Sequence, residues 1–81
     1  GGTPGVWGWI GTVNNDWFEP CNWDKYSVPS STSPVVIPGG TPYEPTITGG
    51  GADCLDIEVN SSNGAELTID VSNGGNLEVH Q

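Results

Sequence analysis

The last third of this chain contains an internal repeat with a step of ten residues. Segments 57–59, 67–69 and 77–79 each place an apolar residue on either side of Glu or Thr. This is the period-two pattern of a strand with one buried face. Asn-Gly pairs follow at 63–64 and 73–74, and these residues accept the positive φ of a tight turn. The repeat therefore predicts short strands that alternate with turns.

Two architectures fit this repeat. In a β-solenoid with β-helix-like coils, the apolar pairs stack into a shared interior. A step of ten residues is then one face of a flattened coil, or one side of a coil of about 20 residues. In an antiparallel β-meander or sandwich, the same strands pair through the Asn-Gly turns. Segments 37–39 and 47–49 extend the step upstream, which favours the solenoid.

Glycine and proline interrupt the chain throughout. The 81 residues include 13 Gly and 7 Pro, so no stretch keeps an apolar face at helical spacing. Four tryptophans in the first third and the regular aliphatic pattern of the last third distinguish the chain from a disordered segment. A chain of this length has room for one core. We therefore expect a single all-β module.

Composition divides this module into three parts. Residues 1–26 carry the tryptophans and are predicted to form an aromatic cap, 27–51 form a Pro-, Ser- and Gly-rich connection, and 52–81 form the stacked strands. The terminal coil of a solenoid needs a cover because it cannot bury its apolar pair alone. No cap follows Val79 in the sequence. We therefore expect a fragment of a larger protein, or a last strand that pairs with another chain.

The chain has two cysteines, Cys21 and Cys54. In an extracellular protein we expect them to form one disulfide, which would stabilise so small a fold by about 4 kcal/mol. The alternative is a pair of buried free thiols. Two cysteines and the distant His80 do not have the spacing of zinc ligands, so this set does not predict a zinc site.

The chain is strongly acidic, with ten acids against the single base Lys25 and a net charge of -9. Such a charge repels phosphate backbones and anionic lipid headgroups. No apolar run approaches the roughly 18 residues that span a bilayer. These properties exclude nucleic acid as a partner and direct insertion into a membrane.

Acidic residues of the last third could form an outward ladder on the strands, and a pair about 5 to 10 Å apart is what glycoside hydrolysis requires. The residues of this ladder are Asp56, Glu58, Glu66, Asp70 and Glu78. We favour the alternative of a solvated face that limits aggregation. His80 lies one residue from the end of the sequence and is expected to be exposed. We therefore expect no catalytic site.

Calcium is the cofactor that the first third would suit best. Asp16, Glu19 and Asp24 lie in one turn-rich stretch together with several asparagines, and weak extracellular calcium sites use such oxygens. The alternative, which we favour, is that these residues form Asx-turns with their own backbone. No other cofactor is expected.

Aromatic side chains offer a possible carbohydrate site, because exposed indoles stack on sugar rings. The candidates are Trp7, Trp9, Trp17, Trp23 and Tyr43. The alternative, which we favour for the four tryptophans, is that they belong to the core or the cap. Tyr43, between Pro42 and Glu44, is the aromatic residue that we expect to be exposed.

Short motifs along nearly the whole chain carry a resemblance to a known group of proteins. In order, they are Trp9-Ile10-Gly11, Asp16-Trp17, Asn22-Trp23, Val28-Pro29, Val36-Ile37-Pro38, Pro45-Thr46-Ile47, Cys54 and the units Gly-Ala-Glu-Leu-Thr-Ile at 64–69 and Gly-Gly-Asn-Leu-Glu-Val at 74–79. This order resembles a β-solenoid-like segment of large secreted and cell-surface proteins of Bacteroidetes. The chain departs from that pattern at Ser33-Pro34, where acidic residues often precede the apolar triplet.

The resemblance implies export by type IX secretion and roles in adhesion, gliding or polymer capture, and it brings no catalytic residues. We therefore expect an extracellular structural or adhesive module of a larger secreted or cell-surface protein. Its last strand is expected to meet a protein partner or the continuation of its own chain. The alternatives are a carbohydrate-binding module of a polysaccharide-active enzyme and a subunit of an extracellular filament or complex.

Overall fold

Seven short strands and three single-turn 3-10 helices make up the regular structure of residues 5–81 in this computed structural model. The strands are β1 (Trp7–Gly8), β2 (Pro34–Ile37), β3 (Thr46–Ile47), β4 (Ala52–Cys54), β5 (Asp56–Val59), β6 (Thr68–Ile69) and β7 (Leu77–Val79). The 3-10 turns are Pro20–Asn22, Ser61–Asn63 and Val71–Asn73. No α-helix occurs in this range, which confirms the all-β prediction. The first four residues of the predicted cap lie outside the described part.

Parallel pairing joins the strands into three small sheets, in the orders β1-β2-β5, β3-β6 and β4-β7. In the first sheet Val35 lies opposite Ile57, and in the second Ile47 lies opposite Ile69, so both sheets have the same offset along the chain. In the third sheet Ala52 lies opposite Leu77, a slightly longer offset. The predicted alternative of an antiparallel meander or sandwich is wrong for these strands, because parallel neighbours cannot be joined by two-residue hairpins.

The three copies of the ten-residue repeat lie in three different sheets. Segments 57–59, 67–69 and 77–79 fall in β5, β6 and β7, and each pairs with an earlier strand rather than with another copy. One step of the repeat therefore moves the chain from one sheet to the next. A step more than twice as long, such as that from Ile47 to Ile69, returns it to the same sheet.

The Asn-Gly pairs form corners between the sheets. Gly64 and Gly74 adopt φ values of 82° and 84°, in the left-handed region that glycine enters at little cost. The carbonyl groups of Asn60 and Asp70 accept hydrogen bonds from the backbone N–H groups three and five positions later. These turns therefore redirect the chain toward a new sheet, whereas the antiparallel alternative requires them to reverse its direction.

Inward-facing side chains of β2, β3 and β4 form the centre of the core. At most 1% of each residue is exposed, and the set is Val35, Ile37, Ile47, Ala52 and Cys54. Partly buried Ile57, Leu67 and Leu77 pack against this group from the later part of the chain. The core is therefore well sealed around the earlier strands and less covered around the later ones, which carry the ten-residue repeat.

Three tryptophans complete the core on the amino-terminal side. Trp9, Trp17 and Trp23 are at most 1% exposed. The Trp23 ring lies edge-to-face against both others, with centroids 5.2 Å from Trp9 and 4.8 Å from Trp17. Trp23 Nε1 donates to the Trp17 carbonyl at 2.8 Å, and Trp9 Nε1 donates to the Tyr43 carbonyl at 2.7 Å. These three residues confirm the preferred interpretation of the tryptophans as core or cap.

Asn22 fixes the loop that carries these rings. Its side chain is buried, and all of its polar atoms are used. Oδ1 accepts from the backbone N–H groups of Val13 and Asn14, and Nδ2 donates to Asn14 Oδ1 and to the Asp16 carbonyl. A buried amide with a full set of partners holds one loop conformation, since each lost partner leaves a costly unpaired group.

The tryptophan cluster predicts unequal effects of two matched substitutions. Trp23→Phe removes the donor to the Trp17 carbonyl and leaves a gap, so we expect a loss of about 3 kcal/mol of unfolding free energy. Trp17→Phe leaves a similar gap, but Trp17 Nε1 is buried without an acceptor in the structure. Its loss should cost about 1.5 kcal/mol, because the unpaired group is removed as well. Urea denaturation followed by far-UV circular dichroism measures both, and an equal or larger loss for Trp17→Phe would contradict the packing described.

The segment around Gly39 lies close to the corner at Ser61–Asn63, and substitutions at Gly39 and Gly40 test this contact. A Cβ at Gly39 would lie 2.5 Å from the Asn63 carbonyl oxygen, whereas one at the neighbouring Gly40 finds its nearest atom at 3.6 Å. Both glycines have positive φ. We expect Gly40→Ala to cost about 1 kcal/mol from backbone strain alone, and Gly39→Ala to cost about 2 kcal/mol more. Equal costs in urea denaturation would show that the two segments are not in close contact.

Candidate functional site

The last three strands carry exposed aliphatic side chains, and we name these side chains and the outer edges of their strands the terminal face. It consists of the side chains of Val59, Ile69 and Val79, which are 37%, 40% and 50% exposed, together with the outer edges of β5, β6 and β7. Within residues 5–81 each of these strands is paired on one side only. Our expectation that Ile69 and Val79 lie inside the shared interior is therefore wrong, because no described strand covers them.

The strand register shows that these three side chains lack the cover that their partners in the earlier strands have. Each of them lies directly opposite a residue with 0% exposure: Val59 opposite Ile37, Ile69 opposite Ile47, and Val79 opposite Cys54. The chemistry of the two layers is similar, so the difference in burial arises from what lies above each layer. Unpaired strand edges beside exposed aliphatic groups are characteristic of surfaces that add a further strand.

The predicted aromatic carbohydrate site is wrong for Trp9, Trp17 and Trp23, which are buried and cannot contact a sugar. Trp7 is half-buried, and its Nε1 donates to the Ser27 carbonyl at 3.0 Å. Tyr43 is 47% exposed, as expected. The described residues enclose no pocket in which these rings could jointly hold a ligand. These three indoles are buried because so small a chain has few other large side chains for its core.

The structure does not bring the candidate calcium ligands Asp16, Glu19 and Asp24 together as a ligand group. Asp16 Oδ1 and Glu19 Oε2 each accept from the backbone N–H two residues later, at 3.0 Å. Asp24 Oδ1 accepts from the Gly8 N–H, also at 3.0 Å. These are the backbone bonds that we favoured as the alternative, although the partner of Asp24 lies on another segment. They leave each carboxylate with a structural partner of its own.

The predicted disulfide is not present, since Cys21 and Cys54 are free thiols. Cys54 points into the core from β4, whereas Cys21 is exposed in the 3-10 turn Pro20–Asn22. One sulfur therefore faces the interior and the other faces solvent. Burial raises the pKa of the Cys54 thiol, and the carboxylates of Asp56 and Asp53 raise it further. A buried thiol with a raised pKa is a poor nucleophile.

This difference predicts two distinct thiol reactivities in the native protein. We expect Cys21 to react promptly with a disulfide reagent such as DTNB at pH 8. Cys54 should react at least about 100-fold more slowly, because it must wait for the core to open. The matched variant Cys21→Ser should retain only the slow phase. Equal rates for the two thiols, or no reactive thiol before chemical reduction, would contradict the free and unequal cysteines described.

Three side chains from two distant parts of the sequence converge on the outer surface of the β4-β7 sheet. Asp53 and Glu78 are register partners on the two strands, and His80 follows Glu78 by two residues. The His80 backbone N–H donates to the Cys54 carbonyl at 2.9 Å, which continues the pairing past β7. His80 Nε2 lies 2.9 Å from Asp53 Oδ1 and 3.6 Å from Glu78 Oε2. One potential ligand atom from each residue lies within 4.8 Å of the other two.

We name these residues, Asp53, Glu78 and His80, the strand-pair triad. His80 is exposed, as predicted, but neither of its carboxylate partners was predicted. The partner Asp53 lies 27 positions earlier. Predicting the triad from the sequence would have required two pieces of information together. The period-two pattern puts residues 78 and 80 on one side of the strand, and the parallel register brings residue 53 beside them. That register was not evident from a step of ten.

Asp70 shows how one acid of the predicted ladder is used. Its carboxylate accepts hydrogen bonds from Asn73 Nδ2 at 2.7 Å and from Ser72 Oγ at 2.8 Å. These side-chain bonds, with that from Asn73 the stronger influence, hold the pKa of Asp70 below its usual range. The carboxylate therefore stabilises the 3-10 turn that directly follows it, Val71–Asn73.

Comparison of the chain with protein-family models, curated proteins and solved structures finds no match. The resemblance to Bacteroidetes surface proteins therefore stays a prediction. Among residues 5–81, no helix has both the length and the apolar character needed to cross a membrane.

Proposed function

We propose that this chain is a β-solenoid module with a structural or adhesive role in a larger extracellular protein, and that its terminal face receives a further coil. The observation that carries this proposal is the paired difference in burial between successive layers. Ile47 is fully buried, whereas its register partner Ile69 is 40% exposed. The same contrast recurs in all three sheets.

Strand pairing supports the solenoid. Parallel sheets whose partners recur at a nearly constant offset are what a chain produces when it winds around one interior with three sides per coil. β2, β3 and β4 then belong to one coil, and β5, β6 and β7 belong to the next. The corners at Ser61–Asn63 and Val71–Asn73 separate the sides of the second coil.

Unequal ends support a role as the beginning of a stack. On one side the interior is closed by Trp9, Trp17 and Trp23, which are buried. On the other side the terminal face combines aliphatic side chains with free strand edges. A coil of the same kind would pair with those edges and cover those side chains, whether it belongs to the same polypeptide or to a protein partner.

Surface chemistry supports an extracellular setting. The net charge of -9 with the single base Lys25 favours solubility and repels polyanions. The motif order that resembles secreted Bacteroidetes proteins adds export by type IX secretion to this proposal. An adhesive or connecting role requires only a stable stack that displays its exposed corners and faces.

The terminal face also favours a second candidate, a subunit that is completed by a neighbouring chain in an extracellular filament or complex. Strand edges and aliphatic groups bind a coil from another molecule as well as one from the same chain. Two copies of this acidic module would repel each other, with a charge of -9 on each. A neighbour that is less acidic would therefore bind more readily than a second copy at low ionic strength.

An added coil tests the module directly. We expect that a second copy of residues 56–80, joined after Gln81, will slow hydrogen exchange in β5, β6 and β7 at least about 10-fold, because their outer edges become paired. The urea m-value should also rise, since more surface is exposed on unfolding. The matched control carries the same added residues in scrambled order and should change neither quantity. A native added coil that gives no protection beyond the scrambled one would contradict the proposal.

A further inference from the structure

We propose that the strand-pair triad of Asp53, Glu78 and His80 binds a divalent transition-metal ion, with Zn²⁺ as the representative ion. The site lies on the outer surface of the β4-β7 sheet, away from the buried core. It combines one imidazole nitrogen with two carboxylate oxygens, which is a ligand set that zinc accepts.

Backbone pairing places the three ligands before any ion binds. Asp53 and Glu78 are opposite each other in the parallel register, and His80 is held by its backbone bond to the Cys54 carbonyl. The Asp53 side chain is partly sheltered, with 33% exposure, whereas those of His80 and Glu78 are exposed, at 37% and 68%. Strand residues give a more rigid ligand set than a loop does.

The spacing suits a small ion. Bonds of about 2.0 to 2.2 Å to a tetrahedral zinc ion leave its ligand atoms about 3.3 to 3.6 Å apart. The separation of His80 Nε2 and Glu78 Oε2 is 3.6 Å, close to that value. His80 Nε2 and Asp53 Oδ1 are 2.9 Å apart and form a hydrogen bond, so this pair must open by about half an ångström.

Metal binding requires that the Nε2 lone pair of His80 be free. In the hydrogen bond to Asp53 Oδ1, His80 Nε2 carries the proton and the carboxylate accepts it. A metal ion needs the Nε2 lone pair, so a neutral imidazole must carry its one proton on Nδ1, whereas an imidazolium must release its Nε2 proton to solvent. Two carboxylates beside the imidazole then balance the two positive charges of the ion.

The ligand set also selects among metals. Calcium and magnesium prefer complete shells of oxygen atoms, whereas zinc and its neighbours in the transition series favour imidazole nitrogen. Three protein ligands leave at least one position for water or for a group from a partner. The triad therefore differs from the calcium site predicted near Asp16 in both its position and its chemistry.

A bound metal ion would cross-link the last strand, β7, to β4. Asp53 belongs to β4, while Glu78 lies in β7 and His80 follows it, so one ion bridges residues 27 positions apart. An ion that binds only the paired state stabilises that pairing by mass action. Within the described part of the chain β7 is paired with β4 alone, so an ion that links the two strands adds to the one set of backbone bonds that β7 has.

Isothermal titration calorimetry with ZnCl₂ tests the site. The experiment uses the full chain with Cys21→Ser, which removes the exposed thiol as a competing ligand. We expect one Zn²⁺ per chain, with binding weakened at least about 10-fold by His80→Ala and by Asp53→Asn. The matched control is Glu58→Gln, which removes an exposed acid from β5 in another sheet and should leave the affinity unchanged.

Two further measurements separate this site from nonspecific attraction to an acidic surface. Co²⁺ should give the visible absorption bands of a nitrogen- and oxygen-ligated ion, and His80→Ala should abolish them. Zn²⁺ should slow hydrogen exchange in β7 in the parent protein but not in His80→Ala. Equal Zn²⁺ affinity in the parent and in His80→Ala, equal competition by Ca²⁺, or no binding by the folded parent would each overturn the proposal.

Discussion

Parallel hydrogen bonding between strands of successive layers is the constraint on which the other features of this protein depend. It places Ile37 beside Val59 and Ile47 beside Ile69, so each interior position is repeated one layer further along. It also places Asp53 beside Glu78 on the outer surface. One register thus determines both the apolar interior and the polar cluster outside it. A shift by one residue would exchange the two faces of every strand, because side chains alternate.

The two ends of this interior differ in how water is excluded. At the amino-terminal side, Trp9, Trp17 and Trp23 meet edge-to-face, and the buried amide of Asn22 fixes the loop that carries them. Each buried indole removes about 150 to 250 Å² from water, equivalent to about 4 to 6 kcal/mol before entropic costs. At the terminal face the corresponding layer is aliphatic and remains partly exposed. The two ends of the core are therefore chemically different, one aromatic and closed and the other aliphatic and partly open.

Several local features could be predicted from the sequence, because they depend on neighbours along the chain. The strands at 57–59, 67–69 and 77–79 and the turns at Gly64 and Gly74 follow from periodicity and turn chemistry. Long-range features could not be predicted in this way. The pairing register depends on corner lengths that the step of ten does not reveal. The strand-pair triad depends on that register, so it could not be predicted from the sequence either.

Cysteine and tryptophan show a different limit. Composition suggested that Cys21 and Cys54 would pair, but strand direction turns Cys54 inward while a surface turn presents Cys21 to solvent. The same residue type can be buried in a core or exposed at a ligand-binding surface, and the packing of the folded chain determines which of the two occurs. Trp9, Trp17 and Trp23 were needed inside, which left Tyr43 and the 73% exposed Tyr26 as aromatic surface residues.

The offset between paired strands is longer in the third sheet than in the other two, yet all three keep their strands in register. Ala52 lies opposite Leu77, whereas Ile47 lies opposite Ile69. The additional length is accommodated in the corner between β6 and β7, where Val71 is 75% exposed and Gly74 turns the chain. Length changes at this corner thus leave the interior undisturbed. A residue inserted at such a corner would extend a solvent-exposed loop, whereas one inserted within a strand would exchange its buried and exposed faces.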